Sequence, residues 1–460
     1  MCHYDGCNAG PGLMMDTPIC DFAQKYSQRD PLRLHMPGHK GTSYLGMEHL
    51  DITEIDGADS LYEAAGIIAR SEANASQLFG CKTLYSTEGS SQCIRAMLYL
   101  VQVYARQNNK EPRIAAGRNA HKTFLTAAAL LDLDIDWLYP KSNAGYLSCG
   151  LTSKDISVYL EQTKEKPAAV YLTNPDYLGN MVDVTAIAEV CHQNDLLLVV
   201  DNAHGAYLKF LPQSLHPMDL GADLCCDSAH KTLPVLTGGA YLHLSRTCAA
   251  VFGTQAKNAM AIFGSTSPSY LILQSLDRAN AYLYTYREKL AAFLKQVDTL
   301  KEKLQEFGYS LSGNEPLKIT VSTKPYGYNG TALAEILIRQ GLIPEFADSD
   351  HLVLMVTPET DREGLERLKT ALMQIPRREA LADQAPVLRP AVQAMSIREA
   401  MLSGSELVPV SGSLGRILAV PTVGCPPAVP IVACGERIDH HAIACFDYYG
   451  IKECCVVNER

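Results

Sequence analysis

Lys231 is the residue of this sequence whose setting most suggests covalent chemistry. It follows the apolar run 222–226, which predicts a buried strand, and precedes a second such run at 240–244. In a turn at the edge of a core, desolvation lowers the pKa of a lysine and frees its amine to act as a nucleophile. Most lysines in turns are ordinary surface residues, and this alternative stays open for Lys231 taken alone.

Asp201 directly follows 196–200, the strongest strand pattern of the chain. A buried carboxylate at a strand end can hold the ring nitrogen of a pyridine in its protonated form. A lysine 30 positions further on, such as Lys231, can form an imine with an aldehyde on that ring. The alternative for Asp201 is a role as a helix N-cap.

A turn rich in glycine and serine, 84–92, leads directly into the helical pattern 93–104. The first N–H groups of a helix, neighbouring hydroxyls and the positive end of the helix dipole together bind phosphate. Gly89, Ser90 and Ser91 are therefore candidate phosphate ligands, unless the two serines only cap the helix. The turn matches neither GxGxxG nor GxxxxGK[ST], so neither a Rossmann dinucleotide site nor a P-loop is supported.

Two histidines also follow strand-like segments. His121 comes after the pattern 114–116, and its imidazole is a candidate for packing on a pyridine ring. His204 lies three residues after Asp201. The commoner fates are a satisfied core histidine for His121 and a surface residue for His204. With the amine, the carboxylate and the phosphate cradle in compatible order, every part of pyridoxal phosphate nevertheless has a candidate partner.

The elements that must position these residues form a regular series. Near-continuous apolar strands alternate with helical segments, which predicts a mostly parallel sheet covered on both faces. Ligands of such sheets bind at the carboxyl ends of the strands. One long helical pattern, 279–307, is predicted to link this sheet to a smaller α+β unit. In that unit we predict strands at 317–322 and 352–357 and a helix at 331–340.

We accordingly divide the chain into five parts. Met15 resembles a natural start, so we predict that translation begins there and that the preceding residues are an extension without fixed structure. A segment rich in charge, alanine and proline is predicted to be a linker. The parts are the extension 1–14, the large domain 15–300, the small α+β domain 301–376, the linker 377–390 and a C-terminal module 391–460.

Composition narrows the class of protein. The net charge is −10 and no cluster of Lys and Arg is present, which argues against nucleic-acid binding. No apolar run approaches the roughly 20 residues that span a bilayer. The 15 cysteines include no CxxC and follow no signal peptide, so we predict reduced thiols in a cytoplasmic protein. The spacing of Cys434, His440, His441 and Cys445 fits no zinc pattern, and no metal site is predicted.

Five motifs resemble, in this order, those of the Orn/Lys/Arg decarboxylase family: 35–41 (HMPGHKG), 51–57 (DITEIDG), 118–122 (RNAHK), 201–205 (DNAHG) and 228–231 (SAHK). The segment from 415 through Cys425-Pro426-Pro427 to 436 is similar to the family's C-terminal domain. The resemblance runs from Met15 to about residue 459. It implies a short form without a wing domain, with fold type I of the pyridoxal-phosphate enzymes, the aspartate aminotransferase fold.

The resemblance also implies roles for individual residues. Lys231 would bind the cofactor aldehyde, Asp201 would pair with the pyridinium nitrogen, and His121 would stack on the ring. His204 and His230 would lie beside the cofactor, with His230 as a candidate proton donor. The phosphate would be bound by Gly89, Ser90, Ser91 and Ser228. Glu436 is the candidate acidic group for the basic side chain of the substrate.

The implied function is pyridoxal-phosphate-dependent decarboxylation of arginine, lysine or ornithine, with arginine slightly favoured. The products would be CO₂ and an amine for polyamine synthesis, and the enzyme would be a cytoplasmic homodimer or larger homo-oligomer. One alternative is an aminotransferase or lyase on the same fold, which predicts a keto acid or an elimination product. The other is a catalytically degenerate regulatory paralogue, which predicts loss of the lysine or the aspartate, although both are present.

Several positions depart from the family pattern. Glu88 replaces the usual asparagine before the cradle glycine, which puts a carboxylate near a phosphate. Ala428 replaces the glycine of a Pro-Pro-Gly motif, Cys434 replaces a proline, and Asp176-Tyr177 replaces Thr-Tyr. These differences bear on phosphate affinity and substrate choice more than on the fold or the cofactor.

Overall fold

The computed structural model describes residues 15–139, 145–424 and 427–458. The predicted extension 1–14 lies outside them. The strands are β1 (Lys82–Ser86), β2 (Arg113–Gly117), β3 (Asp134–Leu138), β4 (Ala169–Thr173), β5 (Leu197–Asp201), β6 (Leu224–Asp227), β7 (Ala240–Leu244), β8 (Ser310–Ser312), β9 (Lys318–Ser322), β10 (Phe346–Ala347), β11 (His351–Met355), β12 (Ser405–Pro409) and β13 (Glu453–Val457).

Helices surround these strands. They are α1 (Pro18–Gln28), α2 (Ile67–Phe79), α3 (Gly89–Gln107), α4 (Lys122–Leu131), α5 (Ser153–Gln162), α6 (Val184–Gln193), α7 (Ala229–Thr232), α8 (Arg246–Phe252), α9 (Gln255–Ile262), α10 (Tyr270–Tyr284), α11 (Tyr286–Phe307), α12 (Gly330–Arg339), α13 (Asp361–Met373), α14 (Ile397–Leu402) and α15 (His440–Tyr448). Short 3₁₀ turns lie at Ala206–Phe210, Pro217–Asp219, Lys324–Tyr326, Pro358–Thr360 and Val410–Gly412.

A seven-stranded sheet forms the centre of the large domain, in the order β1-β7-β6-β5-β4-β2-β3. β7 pairs antiparallel with both of its neighbours, and the other pairings are parallel. Strands β4 to β7 are almost wholly buried, because helices pack on both faces of the sheet. The predicted mostly parallel α/β sheet is confirmed, and its strands carry the candidate residues at their carboxyl ends.

Two smaller sheets follow. Strands β10, β11, β9 and β8 form an antiparallel sheet in that order, and β12 pairs antiparallel with β13. The predicted single helix 279–307 is wrong: it is two helices, α10 and α11, separated at Thr285. The amide of Thr285 bonds to the carbonyl of Leu283, two residues back, so the helical hydrogen-bond ladder is interrupted there without a proline or glycine.

A fully buried carboxylate lies under the turn that carries Lys231. Asp227, the last residue of β6, accepts hydrogen bonds from His216 and His243 at 3.0 Å each and from the Asn202 amide at 2.7 Å. Burial alone would raise the pKa of Asp227, but the two histidines outweigh this and hold it well below its usual range. Burial likewise opposes the charged form of His243, yet the charge of Asp227 raises its pKa. The cluster therefore ties β5, β6 and β7 together as a charged network.

We expect Asp227→Asn to lower the free energy of unfolding by about 3 kcal/mol, because it leaves the buried His243 without its counter-charge. The network stabilises the fold above the unfolded-state pKa of Asp227, about 4, and this contribution is lost as the pH falls further. On the alkaline side, the contribution of His243 is lost as the pH rises through its raised pKa. Urea unfolding at several pH values measures both limits, with the exposed Asp132→Asn as the control.

The structure also describes the state of the cysteines and the character of the helices. Twelve cysteines of the described residues are free, and ten of them are buried. Cys445 contacts His441 at 3.7 Å, whereas Cys434 donates to the carbonyl of Ala419 in another part of the core. Within the ranges described, no helix combines the length and the apolar character that crossing a membrane requires.

Candidate active site

A cavity of about 170 Å³ opens at the carboxyl ends of β4 and β5, beside the start of α3. Residues of the large domain and of the C-terminal module form it. Its walls are formed by Ser90, Ile94, Asn119, His121, Leu147, Thr173, Tyr177, Asp201, Ala203, His204, Lys231, Pro427, Ala428 and Val429. Of the predicted site residues, five line this one cavity: Ser90, His121, Asp201, His204 and Lys231.

Lys231 lies on the one-turn helix α7, directly after β6, and not in a simple strand-to-strand turn. Its Nζ is 3.0 Å from Nε2 of His204. Desolvation lowers the pKa of Lys231, although the carboxylates of Asp201 and Glu345 oppose this effect. A lysine with a lowered pKa inside a cavity has the property that a nucleophilic amine needs.

Asp201 ends β5, and only 3% of it is exposed. It accepts hydrogen bonds from the hydroxyl of Tyr171 at 3.2 Å and from the amide of Ala203 at 3.1 Å. Desolvation raises its pKa despite the opposing charge of Lys231. The alternative role as a helix N-cap is not observed, because the next turn begins after Gly205. Asp201 is instead a buried carboxylate at the cavity wall, and its charged form requires a cationic partner there.

Residues of the predicted phosphate cradle lie together at the start of α3. The hydroxyls of Ser90 and Ser228 meet at 2.8 Å at the start of the 19-residue helix α3. Among the described residues, no side chain caps this helix, so the serines do not serve as caps. Gly89 has φ +72°, and the space that a Cβ would occupy there is open. Ser91 lies beside the cradle, where its hydroxyl is 3.2 Å from that of Thr123.

His121 caps α4 by accepting a hydrogen bond from the amide of Thr123 through Nδ1. Burial, helped by the nearby charge of Lys231, lowers its pKa to about 4. The ring is therefore neutral at physiological pH. A neutral, partly buried imidazole at the cavity wall is suited to pack against an aromatic ring.

Two other predicted residues lie differently. His230 is not part of the cavity wall, and its Nδ1 faces the carbonyl of Gly239 at 3.1 Å. Glu436 is 1% exposed and forms an ion pair with the equally buried Arg118 at 3.0 Å. The structure thus does not bring Glu436 to the cavity in this chain. Its charge is already engaged in tying the C-terminal module to the end of β2.

Sequence reasoning missed several residues at or behind the cavity. The ring of Tyr177 packs edge-on against His204, with centroids 5.3 Å apart. Lys318, on β9 of the small domain, lies 3.3 Å from the other nitrogen of His204 and pairs with Glu315 at 2.9 Å. Tyr177 belongs to the Asp176-Tyr177 pair that departs from the family pattern. Lys318 could not be identified from the sequence, because a lysine within an apolar strand pattern does not show what its side chain contacts.

The residues present fit pyridoxal phosphate. The hydroxyl of Thr173 is buried in the cavity wall without a hydrogen-bond partner among the described residues, next to Asp201 in the β4–β5 register. The open cradle at Gly89 and the serine pair match an anion at a helix N-terminus. A nucleophilic amine, a buried carboxylate and a neutral imidazole complete the set of donors. Fold and site together define a pyridoxal-phosphate-dependent enzyme of fold type I.

Comparison with known proteins leads to the family. Residues 17–324 match the family described as Orn/Lys/Arg decarboxylase, major domain, and residues 377–455 match its C-terminal domain. The chain belongs to the Orn/Lys/Arg decarboxylase family, and is thus a pyridoxal-phosphate-dependent decarboxylase.

Relatives cover nearly the whole chain. The arginine decarboxylase of Bacillus subtilis (strain 168) is 28% identical over 462 residues, covering 93% of this chain and 92% of the relative. The uncharacterized protein YaaO of the same strain is 28% identical over 459 residues, covering 93% of each chain. The crystal structure of a Francisella novicida lysine decarboxylase superposes with a TM-score of 0.78 at 17% identity, covering 96% of this chain and 81% of that one.

The departures from the family pattern now have structural positions. The carboxylate of Glu88 accepts a hydrogen bond from the amide of Ser265. The Asp176 side chain is used locally, where it accepts from the amides of Leu178 and Asn180. Ala428 has φ +58°, a conformation in which glycine would be unstrained, and its carbonyl accepts from the amide of Lys122.

Proposed function

We propose that this enzyme removes the carboxylate of a basic L-amino acid, with arginine favoured over lysine and ornithine. The products are CO₂ and an amine that enters polyamine synthesis. The observation that carries the proposal is the convergence of Lys231, Asp201 and a neutral His121 in one cavity of a chain from this family. The preference for arginine rests on the similarity to arginine decarboxylases of Bacillus species.

The proposed roles follow from the donor set. Lys231 would hold the cofactor, Asp201 would keep its ring nitrogen protonated, and His121 would pack on its face. The phosphate would be held by Gly89, Ser90, Ser91 and Ser228. When bound, pyridoxal phosphate supplies an electrophilic carbon for the substrate amine and an electron sink for the pair left behind by CO₂.

The proton that returns to the α-carbon would come from a side chain of this protein. The amine of Lys231 lies in the cavity, while His230 faces a backbone carbonyl outside its wall. Lys231 is therefore the better candidate than His230 to return a proton to the α-carbon. His204, 3.0 Å from Lys231, is a hydrogen-bond partner that can hold the amine in place during this step.

A basic substrate side chain needs a negative partner, and Glu345 is better placed for this than Glu436. Glu345 is exposed, accepts a hydrogen bond from the cavity residue Tyr177 at 3.2 Å, and is close enough for its charge to act on Lys231. Glu436 is neutralised by Arg118. We propose Glu345 as the residue that attracts the guanidinium or ammonium end of the substrate.

We expect Glu345→Gln to raise KM for the preferred basic substrate about tenfold, because a charged hydrogen bond is lost. The value of kcat should change by much less, since the group lies away from the bond that breaks. Steady-state kinetics measure both constants. Glu335→Gln, which removes an exposed glutamate of α12, is the matched control. Equal KM values in the two variants would contradict the proposal.

We also propose a homodimer or larger homo-oligomer in the cytoplasm. Between α1 and α2, a long segment exposes large apolar side chains: Leu32 and Leu34 at 85%, Leu45 at 83% and Tyr44 at 78%. An apolar surface of this kind is costly in water and is typical of an interface. Light scattering of the purified protein at several concentrations tests the assembly.

The experiment that tests the function is a substrate comparison. The visible absorption of the purified protein is recorded with added pyridoxal phosphate, and arginine, lysine and ornithine labelled in the carboxylate are then supplied separately. Trapped labelled CO₂ from one of them, with the matching amine, supports the proposal and names the substrate. An α-keto acid without CO₂ would favour the aminotransferase alternative, and no bound cofactor would favour a degenerate paralogue.

A further inference from the structure

A buried chain of polar contacts runs from the small domain to Lys231. Its members are Glu315, Lys318, His204 and Lys231, joined by contacts of 2.9, 3.3 and 3.0 Å. Glu315, Lys318 and His204 are at most 5% exposed, so water does not compete for these contacts. The first two residues belong to the small domain and the last two to the large domain. The chain of contacts thus couples the cavity lysine to a different part of the fold.

Counting donors and acceptors fixes the direction of each bond. The ammonium of Lys318 has three hydrogens and no acceptor. Three acceptors surround it: the carboxylate of Glu315 at 2.9 Å, the carbonyl of Asp176 at 3.3 Å and Nδ1 of His204 at 3.3 Å. Nδ1 of His204 must therefore accept, so the hydrogen of the neutral ring is on Nε2.

The consequence reaches Lys231. Because Nε2 of His204 carries the hydrogen, it donates to its partner 3.0 Å away, the Nζ of Lys231. Nζ accepts such a bond only through a lone pair, which an ammonium does not have. Desolvation, together with the charge of Lys318, holds the pKa of His204 well below its usual range, so the ring stays neutral.

We propose that Lys318, paired with Glu315, is a positioning residue that holds His204 in the Nε2–H form and thereby keeps Lys231 as a neutral amine. This inference rests on the proposed role of Lys231 as the cofactor lysine. The ion pair of Lys318 and Glu315 would keep the amine of Lys231 neutral, and therefore nucleophilic, before the cofactor aldehyde binds. Lys318 acts through His204 and does not itself line the cavity.

Other titratable groups near Lys231 also affect its protonation. The carboxylates of Asp201 and Glu345 favour its ammonium form. His121 and His230 both have lowered pKa values because of burial, with Lys231 contributing, and add no positive charge at neutral pH. Lys318 is the cation that favours the neutral amine. Without Lys318, the carboxylates of Asp201 and Glu345 should therefore dominate and favour the ammonium form of Lys231.

The test measures the protonation of Lys231 directly, in the full-length protein stripped of cofactor. Lysines are labelled with acetic anhydride across a pH series, and mass spectrometry follows the peptide that contains Lys231. Only the neutral amine reacts, so the pH midpoint of labelling reports its pKa. In Lys318→Met we expect the midpoint to rise by about one pH unit, which slows labelling below the midpoint about tenfold. The exposed Lys289 is the internal reference.

Three further variants make the result specific. Lys318→Met alone leaves Glu315 as an unpaired buried carboxylate, so Lys318→Met with Glu315→Gln removes the pair together and should show the same rise. Lys318→Arg retains a charged donor and should keep the wild-type midpoint. Lys324→Met removes another lysine of the small domain, one that pairs with Asp350 and Asp383, and should leave Lys231 unchanged. Thermal unfolding shows that each variant is folded.

A wild-type midpoint in the double variant, Lys318→Met with Glu315→Gln, would overturn the inference, as would a midpoint in Lys318→Arg equal to that of Lys318→Met. Borohydride reduction of the cofactor-loaded protein separates this outcome from a failure of the proposed function. If reduction fixes the cofactor on Lys231 but the midpoint is unmoved, only the role of Lys318 fails. If reduction fixes it elsewhere, the role of Lys231 fails as well.

Discussion

Lys231→Ala is expected to lose the visible absorption of bound cofactor and to lower kcat for decarboxylation about a thousandfold or more. The cavity then lacks its nucleophilic amine and the group proposed to return the proton to the α-carbon. The protein should still fold, because alanine suits the short helix α7 and Asp201, the buried carboxylate beside the lysine, keeps its other hydrogen bonds. Absorption spectra and trapped CO₂ measure the two effects.

Lys289→Ala is the control for this substitution. Lys289 is half-exposed and forms a surface pair with Glu359, so its loss should change neither the spectrum nor the rate. Retention of the absorption band and of most activity in Lys231→Ala would mean that another amine holds the cofactor. Peptide mapping after borohydride reduction would then identify that amine.

Asp201→Asn is expected to lower kcat by two to three orders of magnitude, roughly the range assigned to a single preorganised electrostatic group. An amide has no charge with which to keep a ring nitrogen protonated, and the electron sink is weakened accordingly. Its shape and hydrogen bonds to Ala203 and Tyr171 are otherwise retained. The absorption band should persist, because Lys231 is unchanged.

The same substitution has an opposite expected effect on the stability of the cofactor-free protein. The folded-state pKa of Asp201 is raised by desolvation, so stability present below its unfolded pKa, about 4, is lost as the pH rises through the folded value. The amide introduced by Asp201→Asn does not titrate and avoids this loss. At neutral pH the variant should melt at the same temperature or higher, and the difference should vanish in acid. A lower melting temperature at neutral pH would contradict this account.

Much of the large domain could be predicted from local patterns. The strand at 240–244 has the predicted bounds, because its apolar run specifies it locally. The break at Thr285 could not be predicted. Both flanking helices bury one face in the same core, and a continuous helical pattern does not record an interruption of the hydrogen-bond ladder.

Glu436 is a second residue whose partner the local pattern does not reveal. Its sequence context suggested an acid facing a basic substrate, but the buried guanidinium of Arg118 is its partner. A buried arginine requires a counter-charge, and the two residues are separated by 318 positions. Such a pairing leaves no periodic or local signal. Glu345, which lies near the cavity, was likewise not singled out.

The sequence by itself determined the kind of fold and the residue types at the strand ends, since apolar runs, turns and motifs are local properties. It placed an amine, a carboxylate, an imidazole and serines directly after strands of the same sheet. Only the tertiary structure decided the state of these groups. His204 has a lysine on each ring nitrogen, one of them 114 positions away on the small domain. Tautomer and pKa depend on burial and on partners within a few ångströms, which distant parts of the chain supply.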